Sequence, residues 1–211
     1  MRSLQLHQNL RKRQLHNKRS NLIVGITGGI GSGKSTVCLI FELFNIPVYN
    51  SDEKAKFLMN SSPNLIQSIQ SNFGVEMYVN GALNKSKLAD KVFSNPDALS
   101  QLNALVHPAV GRDFDEWQDR FDNAILLKEA AILIESGAHK KCDKVIVVDA
   151  PDELRVKRVM TRDQVSEKEV RERMNRQLNR EDRLKFADYI IDNSGAELLI
   201  PQVQKIISDL N

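Results

Sequence analysis

Cysteine is scarce: the 211-residue chain has two, Cys38 and Cys142, and their spacing suits no metal site. Both read as free thiols in a reducing compartment, the cytoplasm. No run of 18 or more apolar residues occurs, so no membrane-spanning helix is expected. Repeats and low-complexity segments are missing too. Acidic residues are absent from the first twenty positions, which carry Arg2, Arg11, Lys12, Arg13, Lys18 and Arg19. The formal net charge of +3 therefore comes from this leader, and removing its six positive charges leaves residues 21–211 at −3. Three readings compete for residues 1–20: a disordered leader or start-site artefact, an organelle-targeting segment, or a nucleic-acid arm. With two serines and a poor leucine stripe (Leu4, Leu6, Leu10, Leu15), the segment makes a weak transit peptide. A disordered leader fits best, and nucleic acid is not an expected partner. At 41% hydrophobic and 27% charged residues, the chain suits one folded domain with a sizeable core.

What the chain does have is Gly28-Gly29-Ile30-Gly31-Ser32-Gly33-Lys34-Ser35, which fits the phosphate-loop pattern G-x-x-x-x-G-K-[ST]. Before it, residues 21–27 form a short apolar, β-branched run that reads as a buried strand. After it, residues 36–44 are apolar and free of Gly and Pro, as a helix would be. Strand, glycine loop and helix, in that order, aim backbone N–H groups and a helix N-terminus at one point that attracts phosphate oxygens. Gly29, Ile30, Gly31, Ser32, Gly33 and Thr36 are expected to contact those phosphates. Lys34 adds a mobile cation at the β/γ-phosphates, and Ser35 a hydroxyl for Mg²⁺. A glycine-rich turn with an exposed lysine is the plainer alternative, but it explains neither flanking element. A nucleoside triphosphate is the expected ligand.

The second strand is expected at Ile46-Pro47-Val48-Tyr49-Asn50. Residues 53–122 then read as an inserted helical lobe. Ser62-Pro63 and Asn95-Pro96 each look like a cap followed by a first-turn proline. One helix is expected to close at Gly74, and a second to end at Pro108, with a third continuing through Val110, Phe114, Trp117 and Phe121. Asn80-Gly81 marks a hairpin within residues 75–83. The core resumes at residues 124–129, 145–149 and 189–192, short apolar runs separated by helical sequence, and a last helix is expected from Ala196 to Leu210. Five such strands predict an α/β fold, a doubly wound parallel sheet.

Between the last two core strands, eight arginines fall among residues 155–183. Arg155, Arg158 and Arg162 share one helix face, and Ser166-Glu167-Lys168-Glu169 is a capping box that opens a second helix with Val170, Met174 and Leu178 on its apolar side. Half or more of these arginines are expected to be merely solvated or ion-paired, while a few facing the loop would clamp a transferring phosphoryl group. A hinged hairpin able to close would also exclude water.

No N-K-x-D motif is present, which argues against a GTPase. Asp149 ends an apolar run of the kind that often holds Mg²⁺, yet it is expected to cap the helix that follows. Asp52 is the better catalytic carboxylate, since it lies just past the second strand on the side where α/β sheets bind ligands. It would orient a substrate hydroxyl and accept its proton beside Mg²⁺; the plainer reading, that it caps the helix from Glu53, is compatible with that role.

At this point residues 24–37 resemble the opening of dephospho-CoA kinases. The likeness continues through residues 46–52, His107-Pro108, residues 131–137, Arg158-Val159-Met160-Thr161-Arg162-Asp163 and residues 187–195, all in order. The resemblance implies a P-loop fold like that of nucleoside monophosphate kinases, with a core of residues 21–52 and 123–211, a substrate lobe of residues 53–122 and a lid of residues 155–183. It further implies transfer of the ATP γ-phosphoryl group to the ribose 3′-hydroxyl of dephospho-CoA. Asp52 would be the base and a metal ligand with Ser35. Lys34 would serve the phosphates, Arg158 and Arg162 the lid, and Asn193 the adenine. Two departures stand out. The usual Asp-x-Asp after strand two begins here with Asn50, and an apolar-Pro-Leu-Leu run is replaced by Glu129-Ala130-Ala131-Ile132-Leu133. Glu129 and His107 are candidate substrate contacts, Glu129 alternatively a Mg²⁺ contact. A helix-end histidine bonded to backbone is the other reading of His107. Another nucleoside or nucleotide kinase on the same core is the nearest alternative, and a nucleotide-dependent switch ATPase the next.

Overall fold

The computed structural model describes residues 21–93, 95–122 and 124–211, and the basic leader lies outside them. Its five-stranded sheet runs β2-β5-β1-β6-β7, where β1 is Leu22–Thr27, β2 Val48–Asn50, β5 Ile125–Glu129, β6 Lys144–Asp149 and β7 Tyr189–Asp192. β1 pairs in parallel with β5 (Ile26 opposite Glu129) and with β6 (Thr27 opposite Val147), and β6 with β7. Apolar runs suit these strands because both faces of the sheet are covered. On one face Val24, Ile26, Leu127 and Ile146 pack with Val37, Cys38 and Phe41 of α1 (Lys34–Leu43), and with Val203 and Ile206 of the C-terminal helix Leu199–Leu210. On the other, Ala130, Leu133, Val145 and Val147 form a second cluster. The chain leaves β1 in one direction and later returns to its other side, so the C-terminal end of β1 is the switch point where such sheets bind ligands.

The chain divides into two compact units, residues 21–49 with Asp119–Asn211, and Asn50–Gln118. The second contains α2 (Ser51–Ser61), α3 (Pro63–Phe73), a hairpin of β3 (Tyr78–Val79) and β4 (Ala82–Leu83), α4 (Lys85–Phe93) and α5 (Pro96–Gln118). Asn80 and Gly81 take φ values of 51° and 79°, the left-handed pair a tight hairpin needs. Leu65, Ile69, Phe73, Met77, Leu88, Val106 and Phe114 are buried in this unit.

Pro108 does not end a helix. It lies inside the 23-residue α5. A mid-helix proline removes one backbone bond and costs about 3 kcal/mol. Here both Pro108 and Ala104, whose carbonyl loses its partner, are exposed, so water can serve that oxygen. Leu102, Val106, Ala109, Val110 and Phe114 meanwhile stay buried on the inner face. Helix ends also shift slightly. The last helix begins at Leu199 and not at Ala196, and Phe121 falls beyond α5.

Three helices occupy the arginine-rich stretch: α6 (Asp152–Asp163), α7 (Glu167–Asn175) and α8 (Arg180–Leu184), with the C-terminal helix as α9. The capping box forms, with Ser166 and Glu169 satisfying each other's backbone amides. Leu178 lies past the end of α7. Both cysteines are free. Burial, above all, pushes the Cys38 thiol up to about 12 and the Cys142 thiol to about 11, so both stay protonated and inert at neutral pH.

Asp188 ties β6 to β7. Its carboxylate accepts the Val145 amide at 2.8 Å and the Lys144 ammonium at 3.0 Å. Burial pushes this carboxyl up, but the lysine and the amide outweigh it and hold it below the usual range. A depressed carboxyl stabilises the fold above its ordinary pKa and loses that contribution as the pH falls through its folded value. Asp188→Asn should therefore lower stability by about 1 kcal/mol or less at neutral pH. Melting curves should show the gap to wild type closing below about pH 4. A gap that widens in acid would contradict this account.

Candidate active site

The loop after β1 is built to leave amides unclaimed. α1 is N-capped by Gly33, in the left-handed region at φ 92°, with no side-chain cap and no acidic residue in its first turn. Its first N–H groups are therefore left for an anion. A Ser32 N–H to Gly29 carbonyl bond of 3.0 Å closes the loop. Side chains have been excluded where the loop is tightest: a Cβ on Gly33 would strike the Asn193 amide, and one on Gly29 the Arg155 guanidinium. Lys34 Nζ donates to the Gly28 carbonyl at 3.0 Å. Ser35 and Thr36 are exposed in the first turn of α1.

Asn193, just past β7, braces this loop. Its side-chain amide donates to the Ser32 carbonyl at 2.7 Å, and its own carbonyl accepts Arg158 Nη2 at 2.9 Å. The remaining Arg158 Nη1 is buried without a partner, as are Ser32 Oγ and Arg183 Nε. Arg155 and Arg183 are 4% and 3% exposed, figures that charged side chains reach only when held tightly. Arg155 donates to the Ile30 carbonyl at 2.9 Å and pairs with Asp152 at 2.7 Å, while Arg183 donates to the Leu178 carbonyl. Burial, then the like charge of Arg155, draws the Arg183 pKa down. Two buried guanidiniums stand side by side at Gly29, and such a cationic wall favours an anion.

Asp149 does not cap α6, whose N-cap is Pro151. Its carboxylate is gripped by Arg180 through contacts of 2.6–3.0 Å. A two-pronged guanidinium outcompetes a single cap bond. Arg162, expected to serve the lid, is exposed and engages its neighbour Asp163 at 2.7 Å, a carboxylate shared with Arg173. Glu129 is buried at the end of β5, opposite Ile26. Asp52 lies in the first turn of α2, and His107 on the exposed side of α5, both in the second unit. Asp52 is not the cap of its helix either. Asn50 holds that position, its Oδ1 accepting the Glu53 amide at 2.9 Å.

A family model described as CoaE, dephospho-CoA kinase, matches residues 22–198. This chain belongs to the dephospho-CoA kinase family. Its relatives include a dephospho-CoA kinase from Porphyromonas gingivalis, 42% identical over 88% of this chain and 93% of the relative. Another, from Chlorobaculum tepidum, is 39% identical over 91% and 96%. Among solved structures, TT1252 from Thermus thermophilus superposes with a TM-score of 0.79 at 33% identity, covering 91% of this chain and 97% of that one. The dephospho-CoA kinase from Campylobacter jejuni gives 0.67 at 27%, covering 90% and 98%. The fold is that of the P-loop kinases.

For a dephospho-CoA kinase, the loop contacts that sequence reasoning did not single out are Arg155, Arg183 and Gln177. The helical spacing put Arg155 on the same face as Arg158, but nothing local tells which of the two is buried. Arg183 arrives from another helix, and Gln177 from a connector. Asn50, where the resemblance led us to expect an acid, serves as a helix cap as well as an aspartate would.

Proposed function

We propose that this chain transfers the γ-phosphoryl group of ATP to the ribose 3′-hydroxyl of dephospho-CoA, giving coenzyme A. The observation that carries this reading is the uncapped loop at the switch point, backed by buried arginines, in a chain that matches the family over residues 22–198. ATP is the co-substrate. The loop from Gly29 to Thr36 cradles its phosphates, with the amides of Gly31, Gly33, Lys34, Ser35 and Thr36 as the donors, and Asn193 borders its adenine. Lys34 and Arg158 bear on the charge that develops during transfer. Arg162, freed from Asp163, joins them from the lid. Ser35 and Asp52 would hold Mg²⁺, which takes its other ligands from phosphates and water and neutralises charge between them. Their hydroxyl and carboxylate oxygens are the hard donors that ion prefers. Asp52 orients the 3′-hydroxyl and receives its proton, while His107 and Glu129 contact the remainder of the substrate. Free, inert thiols support a cytoplasmic location. Among the described residues, no helix is long and apolar enough to cross a membrane.

Incubation with Mg-ATP and a panel of acceptors, read by product mass, tests this directly. Dephospho-CoA should gain one phosphoryl group, and bare nucleosides and nucleoside monophosphates none. Preferential phosphorylation of a nucleoside monophosphate would favour another kinase of the same core. ATP hydrolysis with every acceptor ignored would favour a switch ATPase.

A further inference from the structure

The connector between α7 and α8 is fastened on both sides. Gln177 Oε1 accepts the Ile30 N–H at 2.8 Å, and the next residue, Leu178, donates its N–H to Glu135 at 3.0 Å. Leu178 also gives its carbonyl to Arg183, and Asn179 caps α8 by accepting the Asp182 amide at 2.8 Å. Ile30 is held equally firmly. Its N–H goes to Gln177 and its carbonyl to Arg155, so both of its backbone polar groups bond to side chains of the arginine-rich segment.

We infer that Gln177 is a positioning residue for the phosphate loop. An N–H already satisfied at 2.8 Å by a neutral amide does not turn toward a phosphate, so Ile30 is an anchor and the amides of Gly31 and of residues 33–36 are the donors. With Ile30 pinned, the Gly29–Ser32 turn keeps its 3.0 Å closing bond and Gly31 its left-handed φ of 78°. The amides beyond then converge before ATP arrives. Preorganisation of this kind raises affinity by removing an ordering cost from the binding step. Through Leu178 and Glu135, the same connector links the phosphate loop to the turn at residues 131–137 that follows β5. This inference rests on the ATP reading and deepens it, assigning a role to a side chain that touches the loop and not the nucleotide.

The test compares full-length wild type with Gln177→Met, which keeps the length of the side chain and removes its acceptor. Amide hydrogen exchange at Ile30 is followed by NMR, with ATP and adenosine affinities measured by calorimetry. Ile30 should exchange at least about tenfold faster in the variant, while β1 amides are unchanged. ATP should bind about fivefold more weakly, adenosine equally well, because only phosphates use the loop. An Ile30 exchange rate unmoved by the substitution, or an adenosine affinity that falls in step with ATP, would overturn the inference. Should Gln177→Met not fold, Glu135→Met loosens the connector from its other side and must also speed Ile30 exchange. A wild type that binds no ATP would refute the kinase reading, and the Ile30 exchange rates would still decide for or against Gln177.

Discussion

Asp52→Asn is expected to reduce phosphoryl transfer by about 10²–10⁴-fold, with ATP affinity and melting temperature close to wild type. The amide matches the carboxylate in size but cannot take the 3′-hydroxyl proton. Such a loss can be read as chemical because the helix start does not depend on this side chain. Asn50 supplies the cap to the Glu53 amide, and Glu53 remains as a second acid in the first turn of α2. Losing one negative charge from a helix N-terminus costs about 0.3–1 kcal/mol, too little to unfold the unit. Turnover should be measured by product mass and ATP binding by calorimetry on the same preparation. Near-normal turnover removes Asp52 as the base, whereas a loss of ATP binding as large as the loss of turnover would leave it only the metal-holding part of its proposed role.

The parts that could be read from the sequence are those specified by neighbours along the chain. Residues 22–43 carry strand, loop and helix in one contiguous stretch, and each needs only its own residues to form. Asn80-Gly81 determines its hairpin because few residue pairs tolerate two consecutive left-handed conformations. The box at Ser166 and Glu169 closes within a single turn. Misreadings arose where a distant partner competed with a local one. Asp149 had a helix to cap three residues on, but Arg180 reaches it from 31 positions away. Pro108 carries the strongest local stop signal, yet apolar residues on both sides of it share one buried face, so tertiary packing continues the helix. Arginine role was the least legible of all. Arg155, Arg158 and Arg162 share a face and a chemistry, and only the fold sends the first against Ile30, the second to Asn193 and the third to Asp163.

Lys34→Ala should weaken ATP binding by about tenfold and lower turnover by a further 10²–10³-fold, about the loss when one preorganised donor to transition-state charge is removed. The size of the effect follows from how the neighbouring cations are used. Arg155 is committed to the Ile30 carbonyl and Asp152, Arg180 to Asp149, and Arg183 to the Leu178 carbonyl. These guanidiniums shape the wall of the site and cannot travel with a moving phosphoryl group. Lys34 is the only cation in the loop sequence itself, and its four-carbon stem can move from the Gly28 carbonyl to follow the charge. Lys34→Arg should recover binding more than rate, because a rigid planar fork keeps the charge but not the reach of a point ammonium. Alanine is a good helix former, so α1 should survive the exchange and the melting temperature should hold. If Lys34→Ala binds and turns over like wild type, another group supplies the charge at the transferring phosphate, and the two buried arginines beside Gly29 become the first to test.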